Sequence, residues 1–299
     1  MNSTISQYIS VPLDQDAHRY AEEFAAEQAT PEKGKQVYLN TLAVYAVHSY
    51  LKWLGVECDL TVSDSWHPGL RALFNVADLV LPNIGKLECR PVLPGERTLK
   101  IPLEVTQDRI GYVAVQFHQQ LDSVQLLGFT PAMTSDEPLE ELHLQQLQSL
   151  VTLIETIHMV NLRQWLEGIF KQDWQAPELV LAGNLRRIQN FRNIQTNNST
   201  TRAKVIHLAG HPLVLVVQVT PQHTEEVNIR LRLYPSNNVN YLPQDLQIIL
   251  FDQAGTACMQ AQTRSTNDCI QLEFDCQLGE KFSVNVILEK TSLTEKFVV

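Results

Sequence analysis

The sequence has few cysteines and few residues that break regular structure. Its 299 residues include five cysteines, an odd number at wide spacings, with no C-x-x-C pair. Reduced thiols fit this pattern better than a disulfide framework or a structural zinc site. Glycine and proline number only 12 and 14, which excludes collagen-like and low-complexity chains.

Targeting signals and familiar catalytic motifs are also missing. No run of about 18 apolar residues occurs, and the first ten residues lack the basic start and apolar core of a secretion signal. G-x-S-x-G, a glycine-rich phosphate loop and a Rossmann fingerprint are all absent. We therefore expect a cytoplasmic protein that does not insert into membranes and holds no cofactor.

The composition is that of a globular chain with an uneven charge. Hydrophobic residues make up 44% and charged residues 19%, and the length fits two domains. The net charge is −10, with 19 acidic and 10 basic residues in positions 1–150 but 14 and 13 in positions 151–299. An acidic surface repels phosphate backbones, so nucleic-acid binding is disfavoured.

Residues 1–160 are predicted to form an α+β domain. Helical spacing predicts a helix over Asp14–Gln28, and a second from Leu39 to Leu54 that stops at Gly55 after a break at Pro31–Gly34. A third helix is predicted within Glu137–Met159. Short runs rich in β-branched and aromatic residues predict a small antiparallel sheet with helices on one face: Leu87–Leu93, Thr98–Ile101, Arg109–Phe117 and Val124–Phe129.

The rest of the chain is predicted to be a bridge followed by strands. The bridge, residues 161–201, holds a short helix over Leu162–Phe170 and ends in a polar run. Residues 202–299 predict an immunoglobulin-like β-sandwich because seven short strands alternate with turns. The seven runs are Ala203–Leu208, Leu213–Thr220, Val227–Tyr234, Leu246–Phe251, Cys258–Gln262, Cys269–Phe274 and Phe282–Leu288.

One set of carboxylates allows a metal-dependent hydrolase or nuclease as an alternative function. Asp78, Glu88 and Asp108, with Arg90 beside them, would lie on adjoining strands and could hold Mg²⁺ near a phosphate. The usual cation of such a site is lysine, however, and the domain is acidic. The competing interpretation is a solvent-exposed strand face with exposed ion pairs of little energy.

Two further sets of residues are weaker candidates. Cys58 or Cys89 could act as a nucleophile with His48 or His67, but single cysteines are usually small buried hydrophobic residues. The sequence leaves open whether these two histidines have a role beyond structure. His207 and His211 have a spacing that brings imidazoles together only on a helix, and the residues around them favour a strand and a loop.

The bridge carries the candidate partner-binding residues. Aromatic side chains cluster there and a basic stretch follows, which includes Arg202 and Lys204. The rings either pack between the domains while the arginines pair with acids of the first domain, or form a protein-docking surface, or stack on nucleic-acid bases. The candidate residues are Trp165, Phe170, Trp174, Arg186, Arg187 and Arg192.

Several stretches of the first domain resemble an uncharacterised cyanobacterial family, domain-of-unknown-function family 1822. They are KQVYLNTLAVYAV at Lys35–Val47 running on to Asp64-Ser65-Trp66, GKLECRPVLPG at Gly85–Gly95, DRIGYVAVQ at Asp108–Gln116 and LLGF at Leu126–Phe129. The resemblance supplies no catalytic residues. It implies a regulatory or adaptor role. The Trp, Pro and Gly residues of Asp64-Ser65-Trp66 and Gly85–Gly95 indicate turns that shape the fold.

The leading hypothesis is a two-domain, non-enzymatic protein that binds an unidentified protein partner. Its role would be regulatory or scaffolding, in a signalling or transcription-control pathway, with the oligomeric state left open. This hypothesis depends on one expectation: the ionisable side chains are spread over the wet surface and are not gathered into a dry cluster.

Overall fold

The computed structural model describes residues 8–132, 140–181, 199–223, 225–236, 239–264 and 266–299. The chain divides into two compact units, Met1–Ile157 and His158–Val299, called here the N-terminal and C-terminal units. The described parts of the expected bridge, residues 161–181 and 199–201, fall in the C-terminal unit. The finer division into residues 1–160, 161–201 and 202–299 stays a prediction.

Two helices open the N-terminal unit. The first, α1 (Gln15–Ala26), confirms the prediction and is capped by Asp14, whose carboxylate accepts a hydrogen bond from the Ala17 N–H at 2.8 Å. The second, α2 (Pro31–Trp53), starts earlier than predicted because Thr30 caps it and Pro31 occupies its first turn. The predicted break at Pro31–Gly34 is therefore wrong.

The main sheet of this unit has five strands in the order β1-β6-β5-β3-β2. Strands β3 and β5 are parallel and the other pairs antiparallel, so the prediction of an antiparallel sheet is wrong. The chain between β3 and β5 makes a crossover instead of a hairpin. The strands of the unit are β1 (Ile9–Pro12), β2 (Asp78–Leu81), β3 (Gly85–Val92), β4 (Thr98–Lys100), β5 (Gly111–Phe117), β6 (Ser123–Pro131) and β7 (Glu141–His143).

Both faces of this sheet are covered. Residues of α1, α2 and α4 (Leu150–His158) share one core with Leu79, Leu87 and Val113 of the sheet. The opposite face lies under the β4–β7 pair and the crossover, with Val92 and Tyr112 in a smaller core. The predicted helix over Glu137–Met159 forms only at α4, and its residues 137–139 lie outside the described residues.

The C-terminal unit consists mainly of strands arranged in two sheets. All seven predicted runs form strands, and an eighth long strand, β16, was not predicted. The sheets have the orders β14-β11-β10-β9 and β13-β12-β15-β16-β8. The strands are β8 (Val160–Asn161), β9 (Thr200–Leu208), β10 (His211–His223), β11 (Glu226–Pro235), β12 (Gln247–Phe251), β13 (Ala257–Gln262), β14 (Ile270–Gln277), β15 (Lys281–Leu288) and β16 (Thr291–Val298).

The two sheets contribute to a single hydrophobic core. In β11 the residues Val227, Ile229, Leu231 and Leu233 are buried in it, while Asn228 and Arg230 lie on the other face and pair with β14. The two faces of the strand therefore differ, although Arg232, on the same face as Asn228 and Arg230, is buried. The described structure also has three short α-helices and three 3-10 turns. The helices are α3 (Pro68–Leu73), α5 (Leu162–Leu166) and α6 (Pro177–Val180), and the turns are Asp64–Trp66, Leu103–Val105 and Leu144–Gln146.

The helices were compared with the length and apolar character of a membrane span. Over the described ranges, none of the helices combines the length and the apolar character needed to span a membrane.

Candidate functional site

Two of the predicted metal-binding carboxylates lie opposite each other on the main sheet. Asp78 of β2 and Glu88 of β3 are register partners, and both are fully buried. Asp108 precedes β5 and its side chain is mostly exposed. Because both faces of the sheet are covered, the interpretation of Asp78 and Glu88 as a solvent-exposed strand face is wrong.

Glu88 is the centre of a buried charge network, defined by Glu88, Arg90, Arg109, Asp64 and Lys86. One Glu88 oxygen accepts hydrogen bonds from the Ala77 N–H at 2.7 Å and from Arg90 at 3.3 Å. The other accepts from Arg109 Nε at 2.9 Å. Three donors therefore bind the carboxyl group, and two of them carry the opposite charge.

Asp78 serves a local structural purpose. Its two carboxylate oxygens accept hydrogen bonds from the backbone N–H groups of Asp64 at 2.9 Å and Ser65 at 2.8 Å, and the Ser65 hydroxyl donates to the Asp78 carbonyl at 2.7 Å. These bonds fix the 3-10 turn Asp64–Trp66 against β2. The Asp64-Ser65-Trp66 motif therefore shapes the fold, as the resemblance implied.

The outer end of the network lies at Asp64. Lys86 Nζ contacts the Asp64 carboxylate at 2.9 Å and Asp108 at 3.6 Å, and Arg109 reaches Asp64 at 3.5 Å. Asp78, Glu88 and Asp108 thus bind different donors and do not surround one position. Among the described residues, no three His, Cys, Asp or Glu side chains are placed to hold a metal ion. The arrangement lacks the convergence that the metal hypothesis requires.

The dry surroundings change the acidity of the network. Burial raises the pKa of Glu88, and the two guanidinium groups oppose that change. Burial also lowers the pKa of Arg90, whereas for Arg109 burial is outweighed by Glu88, which raises the pKa. Ion-pair networks that serve structure perturb pKa values as catalytic sites do. The expectation that ionisable groups spread over the wet surface is wrong here.

The thiol hypothesis gains no support from acidity. Burial raises the pKa of Cys58 to about 11 and that of Cys89 well above its usual value. Both shifts disfavour the thiolate, which is the reactive form.

The candidate histidines occupy unrelated positions. His67 caps α3 by accepting a hydrogen bond from the Leu70 N–H at 3.3 Å. His48 packs on Tyr45 with ring centroids 5.9 Å apart, and its Nδ1 is buried without a hydrogen-bond partner within the described ranges. His207 and His211 stand on β9 and β10, where each faces another residue across the hairpin.

Two of the aromatic docking candidates are core residues. Trp165 and Trp174 are buried, with ring centroids 5.0 Å apart, and Trp174 packs on Phe297 of β16. Burying a tryptophan removes a large apolar area from water, so these rings stabilise the C-terminal unit instead of presenting a docking surface. Arg186, Arg187 and Arg192 lie outside the described residues.

The segment from Leu162 to Trp174, called the strap, turns sharply after α5. The Gly168 N–H donates to the Trp165 carbonyl at 3.2 Å and the Ile169 N–H donates to the Gln164 carbonyl at 2.9 Å. These two bonds form a Schellman cap, and Gly168 supplies its left-handed residue with φ of +82°. The cap fixes the direction in which the chain leaves the helix.

The outer side of the strap is apolar. Leu166 and Ile169 are 37% and 40% exposed. Phe170, the third aromatic candidate, is only partly buried, and the Arg202 guanidinium lies 3.5 Å from its ring centroid. The term strap surface is used below for Leu166, Ile169, Phe170 and Arg202.

Lys204 ties the strap to two strands of its own unit. Its Nζ lies 2.8 Å from Asp173 of the strap and 2.5 Å from Glu295 of β16. Burial opposes this charge, but the hydrogen bonds that Lys204 donates to both carboxylates raise its pKa. Lys204 therefore has acidic partners inside the C-terminal unit. The alternative in which the arginines pair with acids of the first domain stays a prediction.

Sequence reasoning missed Leu166 and Ile169. It concentrated on the large rings of the segment, which are the side chains that folding buries most readily. The available signal was Gly168, since a glycine after a short amphipathic helix marks its end and the apolar residue that follows.

Comparison with known proteins identifies a family for nearly the whole chain. The family model described as "Protein of unknown function (DUF1822)" matches residues 11–298. No curated protein matches the chain.

Proposed function

Because the chain belongs to the DUF1822 family, whose description assigns no activity, we propose from its own surfaces that it is a non-enzymatic regulatory or scaffolding protein that binds a protein partner. The observation that carries the proposal is the strap surface. There Leu166 and Ile169 are exposed, and the next residue along the chain, Phe170, forms a cation–π pair with Arg202. Aromatic residues and arginine are enriched at the energetic centres of protein interfaces.

The strap surface is also held in place before any partner arrives. Trp165 and Trp174 anchor the strap from beneath, the Schellman cap sets its turn, and Lys204 ties Asp173 to Glu295. A surface ordered in advance loses less conformational entropy on association. The partner expected here offers apolar side chains for Leu166 and Ile169 and a carboxylate for Arg202.

A photo-crosslinking experiment tests the proposal. The crosslinker p-benzoylphenylalanine replaces Leu166 in the full-length chain, and a matched control carries it at Met259, which is also 37% exposed but lies on β13. In a lysate of the source cells, we expect a protein adduct at position 166 that Ile169→Ser suppresses. Equal labelling at both positions, or no adduct at 166, contradicts the proposal.

The same proposal includes the finer fold type of the C-terminal unit. If β10 is taken as the first strand of the sandwich, strands A, B and E correspond to β10, β11 and β14, which are neighbours in one sheet. Strands C, F and G correspond to β12, β15 and β16, which are neighbours in the other. This matches the A-B-E and C-F-G neighbours of immunoglobulin domains, and β13 beside β12 takes the place of an added C′ strand. An immunoglobulin-like sandwich suits a binding protein. A cytoplasmic location and a cyanobacterial origin belong to this proposal as well.

A further inference from the structure

A second exposed apolar surface lies on the N-terminal unit. Leu73 and Phe74, at the end of α3, are 77% and 43% exposed, and Leu103 is 56% exposed. The two segments adjoin, because the N–H of Asn75 donates to the Glu104 carboxylate at 2.8 Å. Exposed apolar side chains on neighbouring segments are typical of interaction sites. The term 73–103 patch is used below for Leu73, Phe74 and Leu103.

The backbone beneath the patch is fixed by the buried charge network. Arg90 donates to the Asn75 carbonyl at 3.0 Å and to its side-chain oxygen at 3.2 Å. Asn40 of α2 donates to the same side-chain oxygen and to the Val76 carbonyl, both at 2.9 Å, and Lys33 donates to the Phe74 carbonyl at 2.8 Å. The exposed pair Leu73–Phe74 is therefore presented by a rigid backbone, which favours specific binding.

Charges of both signs lie around the patch. Lys33 lies there and donates to the Phe74 carbonyl, so the preference for a basic partner comes from Glu104, Glu27 and the net charge of the whole unit. Glu104 is exposed at its edge, and although partial burial opposes it, the hydrogen bond from Asn75 lowers the pKa of Glu104, so it is ionised at neutral pH. Glu27 is about half exposed and contacts Arg71 of α3. The N-terminal unit has 20 acidic and 10 basic residues. Five of the ten bases, Arg19, Arg71, Lys86, Arg90 and Arg109, already pair with carboxylates.

We propose that the 73–103 patch binds a basic amphipathic segment of a partner protein. The apolar face of such a segment covers Leu73, Phe74 and Leu103, and its lysines or arginines face Glu104 and Glu27. An acidic segment or an anionic membrane is repelled by the same field. With the strap surface on the other unit, the chain then offers two separate docking surfaces, as a scaffold requires.

The test uses a fluorescent synthetic Leu/Lys amphipathic peptide and a Leu/Glu peptide of the same pattern. With the full-length chain, we expect saturable binding of the Leu/Lys peptide by fluorescence anisotropy and none of the Leu/Glu peptide. The double variant Leu73→Ser plus Leu103→Ser weakens binding at least about tenfold, because two leucines lose their buried area. Added salt weakens binding as well.

Two controls separate this proposal from its alternatives. Val62→Ser alters an exposed apolar residue of the same unit, 60% exposed, and leaves binding unchanged. Leu166→Ser plus Ile169→Ser alters the strap surface and also leaves it unchanged. The proposal is overturned by equal binding of both peptides, by no saturable binding, or by loss of binding in either control. Loss only in the strap variant leaves the proposed function standing.

Discussion

The two units differ in how deeply they bury their arginine–carboxylate pairs. The N-terminal unit has 20 acidic and 10 basic residues and buries the Glu88–Arg90 and Glu88–Arg109 pairs, whereas the C-terminal unit has 13 of each and keeps the Arg230–Glu273 pair on an open sheet face. The difference arises because both faces of the main sheet in the N-terminal unit are covered. Where both faces are covered, polar residues of a strand become internal, and they persist only with partners of opposite charge.

The largest effect that tests this comparison is expected from Glu88→Gln. The change leaves Arg90 without its carboxylate partner and Arg109 with the more distant Asp64 alone, which costs about 3–5 kcal/mol of unfolding free energy in the N-terminal unit. Hydrogen exchange in urea, followed separately for the peptides of each unit, measures the loss. A cost below about 1 kcal/mol would show that the network behaves like a surface ion pair.

Trp165→Ala tests whether the strap aromatics are core residues. Removing a buried tryptophan costs at least about 3 kcal/mol. We expect that loss in the C-terminal unit alone, read by the same exchange measurement. Unchanged stability would return Trp165 to the list of docking residues.

A smaller effect concerns pH. Burial lowers the pKa of Lys171 to about 8, and its Nζ donates to the Met159 carbonyl at 2.8 Å. An unfolded lysine titrates near about 10.4, so between these values the unfolded chain binds more protons and the unfolding free energy rises with pH. We expect the unfolding free energy of the wild type to rise by about 1–2 kcal/mol relative to that of Lys171→Met from about pH 7.5 to pH 10. A constant difference would exclude this shift.

The smallest effect is expected from Glu273→Gln. Arg230 donates two hydrogen bonds to Glu273, at 2.8 and 2.7 Å, but the pair faces water. The change should cost less than about 1 kcal/mol of unfolding free energy in the C-terminal unit. It is also the matched control for Glu88→Gln, because both remove one carboxylate that binds arginine. Similar costs for the two variants would erase the contrast between the units.

The partly exposed face of β11 explains why this strand could be predicted from the sequence. Alternation of Val227, Ile229 and Leu231 with Asn228 and Arg230 identifies β11 from the sequence. In β3 the consecutive residues Leu87, Glu88, Cys89 and Arg90 are all buried, so the polar ones look like a solvent face. The residues of β3 and β5 do not show that the two strands pair in parallel, so the sequence did not predict this pairing.

Gly111 lies in DRIGYVAVQ, one of the blocks that carry the family resemblance. Its φ of +155° and its close approach to β6 leave no room for a side chain, since a Cβ would lie 2.4 Å from the Thr130 carbonyl oxygen. The quoted block DRIGYVAVQ is therefore fold-defining at this glycine. The docking candidates were less predictable, because a sequence does not show which side of the strap carries the rings and which carries Leu166 and Ile169.

The pairing of β8 with β16 has a consequence for synthesis of the chain. Val160 and Asn161 open the C-terminal unit, and they bind Phe297 and Val298 of its last strand. The ribosome synthesises Val160 and Asn161 long before Phe297 and Val298. Until β16 emerges, Trp165 and Trp174 therefore lack the Phe297 ring. Such long-range closure slows folding and leaves apolar surface open to chaperones during translation.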